Sequence, residues 1–354
     1  MNRFRPVSIL VMILASLACG RTNPVSFTST GIVPPSTETG MPPTLAPETT
    51  AGLQRGVNMG NMLEAPNEGE WGLYVREEYF DRIREAGFDF VRLPVRWNNH
   101  ADISAPYALD EDFLARVDEI IGWALERNLR IIVDFHHYEE IMTDPQAHKD
   151  RYLGIWKQLA FHYKDQPASV LFELLNEPNS QMNAVLWNEY SSAALKIVRE
   201  SNPARDVIIG PVNWNAYDQV ATLDIPDDPH LIVTFHYYLP FEFTHQGAEW
   251  IGDESNAWLG TPWDGKDTQK AEITRNFDLV AAWAKEKDVR ILMGEFGAYS
   301  KAPHDSRLRW TEFVSREAER HGFAWSYWEF ASGFGVYDPN AGIWREDLLK
   351  ALIP

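Results

Sequence analysis

Short runs rich in β-branched and apolar residues recur at 54–59, 88–95, 130–135, 169–175, 206–212, 230–238, 289–294 and 322–328. None alternates cleanly between polar and apolar positions, so each predicts a strand buried on both faces, as in a parallel sheet. Between most of them the pattern changes to that of an amphipathic helix. Over 112–127, Phe113, Val117, Ile120, Ile121, Ala124 and Leu125 share one face. Over 149–164, Tyr152, Leu153, Trp156, Leu159, Ala160 and Tyr163 do the same. Further helices are predicted at 76–86, 185–200, 269–286 and 305–321, with a short one at 344–351. The connection after the fifth strand, 215–225, has the weakest pattern. Eight strand–helix units predict an α/β fold, a (β/α)8 TIM barrel, as one domain over 51–354. A doubly wound sheet is the competing topology. It is disfavoured because no glycine-rich phosphate turn follows an early strand.

The chain before residue 51 reads differently. Residues 1–19 place a basic start ahead of a short apolar run, the pattern of a secretory signal rather than a spanning helix. Ser16-Leu17-Ala18-Cys19 resembles a bacterial lipoprotein processing site, with Cys19 as the residue to be acylated; ordinary secretion is the alternative, and both predict export. Residues 20–50 are expected to be a linker. Within 21–50 there are 6 Pro, 8 Thr and 3 Ser, with too little apolar surface to repay the ordering of the chain.

Composition narrows the partners. A net charge of −19 argues against nucleic acid and anionic membrane surfaces, which need a basic face, so membrane contact is expected only through the acylated N-terminus. Cys19 is the single cysteine, so the barrel region has no disulfide, thiolate metal site or cysteine nucleophile. Aromatics are abundant at 13%, with 14 Trp, which suits either an aromatic core or a groove that stacks flat apolar ligand faces. A monomer without cofactor or metal is expected.

A barrel concentrates chemistry just after the C-terminal ends of its strands. Strand two ends in Val91-Arg92-Leu93-Pro94, strand three in Asp134-Phe135-His136-His137-Tyr138 and strand four in Leu175-Asn176-Glu177-Pro178. Strand six carries Phe235-His236-Tyr237-Tyr238, strand seven ends in Gly294-Glu295-Phe296-Gly297, and strand eight gives Tyr327-Trp328-Glu329-Phe330. Each segment alone has an ordinary structural explanation; their joint placement on one rim points to catalysis. Glutamates after strands four and seven face each other across the mouth, the arrangement by which one carboxyl protonates a glycosidic oxygen while the other attacks the anomeric carbon. The acid needs a raised pKa and the nucleophile an ionised carboxylate. Arg92 and the Tyr238 hydroxyl suit the second task. Asn176 suits a sugar 2-hydroxyl, and Trp328 a pyranose face.

With these motifs the chain resembles glycoside hydrolase family 5 over 52–354, through the segments above together with His236-Tyr237-Tyr238 and Trp325-Ser326-Tyr327-Trp328. It resembles more closely still the thermophilic bacterial endoglucanases of that family that also cut mannan. That similarity rests on 55–61, 64–69, 136–140 and 240–250. The resemblance implies Glu177 as acid/base and Glu295 as nucleophile, supported by Arg92, His136, Asn176, His236 and Tyr238, with Trp328 against the sugar. The closer similarity implies Asn61, Glu64, His137, His245 and Trp250 along a glycan groove. The implied activity is a retaining endo-β-1,4-glucanase acting on β-glucan and also on β-mannan or glucomannan. A mannanase as main activity, a non-catalytic glycan-binding surface protein, and a metal-dependent hydrolase using His136, His137 and His236 are the alternatives.

Overall fold

The structure, a computed structural model, describes residues 52–354. The expectations for 1–19, for 20–50 and for Cys19 lie outside the described residues. Eight parallel strands close into a barrel: β1 (Arg55–Asn58), β2 (Phe90–Val95), β3 (Arg130–Phe135), β4 (Val170–Glu173), β5 (Val207–Ile209), β6 (Leu231–Tyr237), β7 (Arg290–Phe296) and β8 (Ala324–Tyr327). Pairing of β1 with β8 completes the ring and excludes the doubly wound alternative.

Around it lie α1 (Glu77–Ala86), α2 (Glu111–Glu126), α3 (Pro145–His162), α4 (Ala184–Ser201), α5 (Asp267–Lys287), α6 (His304–Arg320) and α7 (Glu346–Leu352). Helix α3 starts earlier than its apolar period predicts. Asp144 caps it by accepting the Ala147 amide at 3.2 Å, and Pro145 fills the first turn. That turn carries little apolar surface, so periodicity could not register it. The weak connection after β5 contains no long helix. A tight turn at Val212–Asn215 has φ of 58°, 58° and 54° at Asn213, Trp214 and Asn215, and a 3-10 turn follows at Tyr217–Thr222.

Side chains of period two divide the barrel into layers. At its base, Leu53, Phe90, Ile132, Leu171, Ile208, Ile232, Leu292 and Ala324 form a closed apolar plug. Gly56 belongs there because a Cβ would meet the Phe90 ring at 2.3 Å. Two residues further along the strands, the inward positions turn polar: Asn58, Arg92, Asp134, Glu173, Thr234 and Ser326 are all fully buried. The outward positions, such as Val91, Ile131, Val133, Phe172, Val233, Phe235 and Met293, pack into the shell beneath the helices.

Strand β7 breaks this alternation where it matters. Phe235 pairs with Met293, but His236 pairs with Glu295, so Gly294 is an extra residue in β7. Strict alternation from inward Leu292 would point Glu295 outward; the bulge re-aims it into the barrel mouth. A glycine is required, because a Cβ on Gly294 would lie 2.5 Å from Thr234 Oγ1.

Candidate active site

The site is assembled on Arg92. Its Nε and Nη2 donate to Glu173 at 2.7 and 2.9 Å, and Nη2 also reaches Asn176 Oδ1 at 2.8 Å. Nη1 donates to Asn58 Oδ1 at 2.9 Å and to Glu295 Oε1 at 2.8 Å, and Asp134 lies 3.0 Å from Nη2. One guanidinium, fully buried, thus ties together β1, β2, β3, β4 and β7. Removing a partner from such a network leaves an unpaired buried charge, a cost of about 3–5 kcal/mol.

Asn58 fastens the network to the last strands, its Nδ2 donating to Gly294 O and Ser326 Oγ, both at 3.0 Å. His136 is held on both ring nitrogens. Nδ1 lies 2.5 Å from Asp134 Oδ2, and Nε2 lies 3.3 Å from the Asn176 amide nitrogen. With Asn176 Oδ1 taken by Arg92, this assigns a neutral His136 that donates to Asp134 and accepts from Asn176.

The two glutamates face one another through His236. Its Nδ1 lies 2.7 Å from Glu177 Oε1 and 3.5 Å from Glu295 Oε2. One oxygen from each glutamate and this nitrogen all lie within 4.8 Å of one another. Tyr238 donates its hydroxyl to Glu295 Oε2 at 2.9 Å. Glu177 stands at the mouth with a quarter of its side chain exposed, and its φ is 50°. Asn61 (φ 64°) and His137 (φ 25°) share the left-handed region, where side chains other than glycine are held only by surrounding structure, a frequent feature of functional rims.

Burial pushes the Glu177 carboxyl up to about 8, opposed by Arg92 and reinforced by Glu173. It pushes Glu295 up to about 7, with His236, Arg92 and the Tyr238 hydroxyl acting against the shift and Glu177 with it. Glu295 has the stronger cationic and hydrogen-bonding support, so it gives up its proton first. Burial also depresses His236 to about 4, and His137 and His245 to about 3, so all three rings are neutral at working pH.

The remaining expected groove residues fall into two flanking groups. His137 packs edge-on against exposed Trp71 at 5.9 Å and lies beside His136 at 4.5 Å. Glu64 departs from the expectation of a groove-lining carboxylate: it is buried, and its oxygens accept the Asn61 and Met62 amides. It shapes the loop that carries Asn61. Across the mouth, His245 is buried, stacks on Phe241 at 4.1 Å and contacts Tyr238 at 5.0 Å. Trp250 is exposed, set edge-on to Tyr299 at 5.0 Å. Trp328 lies parallel to His136 at 5.7 Å and leans on Gly60, where a Cβ would come within 3.0 Å of its ring.

His136, His137 and His236 do not form a ligand set, since His136 has both nitrogens engaged within the protein. Sequence reasoning missed Asn58, Asp134, Glu173 and Asn215, all buried, and the exposed rings of Trp71 and Trp214. The two acids did leave a trace, as charged residues inside apolar strand runs two positions beyond Ile132 and Leu171.

A closed parallel barrel with paired carboxylates at its C-terminal mouth is the architecture of a glycoside hydrolase. The chain belongs to the cellulase family, glycosyl hydrolase family 5, which it matches over residues 51–333, and it is therefore a glycoside hydrolase. It is 37% identical over 333 residues to endoglucanase H of Acetivibrio thermocellus, covering 94% of this chain and 35% of that protein. To the cellulase/esterase CelE of the same organism it is 29% identical, covering 81% and 36%. The chain thus spans about a third of the length of these curated relatives. Among solved structures, Thermotoga maritima Cel5A in complex with mannotriose is 47% identical with a TM-score of 0.83, covering 85% of this chain and 97% of that one. The cellulose synthase subunit Z of Clostridioides difficile is 40% identical with a TM-score of 0.83, covering 85% and 100%.

Proposed function

We propose that the protein is a retaining endo-β-1,4-glucanase that also accepts β-mannan, with Glu177 as acid/base and Glu295 as nucleophile. The observation that carries this reading is the approach of the Glu177 and Glu295 oxygens to within 4.8 Å, close to the roughly 5–5.5 Å of retaining rather than inverting enzymes. Glu295 attacks the anomeric carbon as Glu177 gives its proton to the departing oxygen. Glu177 then takes a proton from water as that water displaces Glu295 from the sugar. Arg92 and Tyr238 keep Glu295 ionised and aimed. Asn176, fixed by Arg92 and His136, stands where a 2-hydroxyl approaches, and Trp328 offers its face to the ring.

Glu295→Ala should lose hydrolysis, and azide should restore turnover of an activated aryl glycoside with inverted product. Full activity in this variant would sink the assignment. A non-catalytic binding role fits poorly with two acids held in this register.

For substrate, the support is the 47%-identical Thermotoga maritima Cel5A, solved with mannotriose and also with cellobiose. Parallel assays on carboxymethyl cellulose, barley β-glucan, glucomannan and galactomannan test it, and release of reducing ends from none of them would refute it. The reading of residues 1–19 adds a site of action outside the cytoplasm, tethered through Cys19. Among the described residues no helix is long and apolar enough to cross a membrane. Cys19→Ser should move activity from the cell surface to the medium; unchanged retention at the surface would refute the tether.

A further inference from the structure

We infer that Glu329 is a positioning residue for the hydrolysis: its buried carboxyl fixes the turn after β8, so that Trp328 keeps its face to the sugar and Phe334 backs Tyr238. The inference rests on the function proposed above. Glu329 is fully buried, so it touches no sugar itself. Asp134 and Glu173 hold Arg92, and Glu64 shapes its own loop, which leaves Glu329 as the buried acid of the mouth without a task. Its hydrogen bonds come from the backbone of one turn. Oε1 accepts the Ser332 and Phe334 amides at 2.9 and 3.2 Å, and Oε2 accepts the Ala331 and Ser332 amides at 3.3 and 2.9 Å. Buried amides need partners, and a carboxyl offers several acceptor sites at one point, so the turn wraps around the side chain that starts it.

What this turn holds bears on both the sugar and the nucleophile. Trp328 N donates to Phe296 O at 2.9 Å and Phe330 N donates to Asn58 O at 3.0 Å, so Glu329 sits between a bond to β7 and a bond to β1. A Cβ on Gly297 would lie 2.2 Å from Trp328 O and 3.1 Å from the Phe334 ring, which presses the segment against the chain just past Glu295. At the far end of the turn, the Phe334 ring stands 6.1 Å from Tyr238 and 6.0 Å from Trp250. Both ends of Phe334 are pinned. Its amide is held by Glu329, and its carbonyl accepts from Arg307 and, at 2.8 Å, from the Tyr327 hydroxyl. One carboxyl therefore ties the Trp328 face to the ring behind Tyr238, whose hydroxyl donates to Glu295. A displacement of about 1 Å among such groups costs up to about a hundredfold in rate.

Glu329→Gln tests this in the full chain, because it keeps the shape of the side chain and sets an NH2 group against amide donors. At a temperature where circular dichroism shows the variant folded, kcat/KM should fall about a hundredfold, with kcat itself reduced. The fall should be the same for an aryl cellobioside and for barley β-glucan, since both use Trp328 and Glu295. A folded variant with the parental kcat overturns the proposal, as does a loss confined to KM for the polymer; either would leave Glu329 a support of the fold alone. If Glu329→Gln does not fold, Phe334→Leu carries the test. It leaves the carboxyl and its amide partners in place, and kcat should still fall on both substrates; parental kcat overturns the proposal. A parent chain that hydrolyses no glycan would refute the function instead. Calorimetric binding of cellotetraose would then decide for Glu329: weakening by about tenfold in Glu329→Gln supports its positioning of Trp328, and unaltered binding overturns it.

Discussion

At the residue scale, the site shows how similar acids acquire different tasks. Glu177 and Glu295 are both pushed above the ordinary carboxylate range by burial, yet only Glu295 touches Arg92 and a tyrosine hydroxyl. On the proposed assignment, the partner set, not the residue type, separates acid from nucleophile. Trp214 extends this logic outward. It is exposed, and its amide is tied to Pro178 O at 3.4 Å, next to Glu177; on the proposed assignment that is the side where the leaving sugar departs. Trp214→Ala should raise KM for polymeric substrate about tenfold, the loss of about 1.4 kcal/mol of stacking. An aryl glycoside with a small leaving group should be hydrolysed as before. Equal effects on both substrates would show that Trp214 only supports the loop.

At the element scale, the decisive feature is the bulge at Gly294. It inserts one residue in β7 opposite the His236 register and turns Glu295 inward. Gly294→Ala should destabilise the fold by about 1–3 kcal/mol through the clash with Thr234. It should also cut kcat/KM far more than that loss of stability explains. Thr234→Ala in the same chain should recover much of both, because it removes the atom the new methyl meets. Denaturant melts and kinetics on the single and double variants check this; no recovery in the double variant would mean that the new methyl acts instead through the His236 ring, 3.2 Å from it at Nε2. The elements themselves were legible. Strands and helices fall within a few residues of their hydrophobic patterns, because burial on one or two faces dictates the period. The β7 bulge was not legible, since a glycine in a strand run has no hydrophobic signal of its own. The left-handed turn carrying Trp214 and Asn215 was invisible for the same reason.

At the scale of the whole molecule, the barrel mouth stores protons. Burial raises Glu64 and Glu177 to about 8, and Asp134, Glu295 and Glu329 to about 7. Unfolded carboxyls release these protons near pH 4–4.5. Between those limits the folded chain holds more protons than the unfolded one, so stability falls as pH rises. The melting temperature should therefore decline from about pH 5 to pH 8. Glu177→Gln should melt roughly 3 °C higher than the parent at pH 8, as about 1 kcal/mol is worth in a domain of this size, and the gap should close near pH 5. Differential scanning calorimetry across pH tests the sign, and a melting temperature rising towards pH 8 would contradict it. Activity should follow the same protons. It is lost above about pH 8 as Glu177 gives up its proton, and below about pH 7 as Glu295 gains one.

The sequence by itself determined the barrel, its order of elements, and the rim residues from Arg92 to Trp328, because hydrophobic period and strand-end position are local properties. It also carried the pairing of Glu177 with Glu295 as an inference from topology. Only the tertiary structure decided that Glu64 serves a loop, that Asn58, Asp134 and Glu173 hold Arg92, and that His236 stands between the two acids. Those facts depend on which groups meet in a dry space. There a charge takes its role from the partners within about 3 Å, and those partners come from strands far apart in the chain.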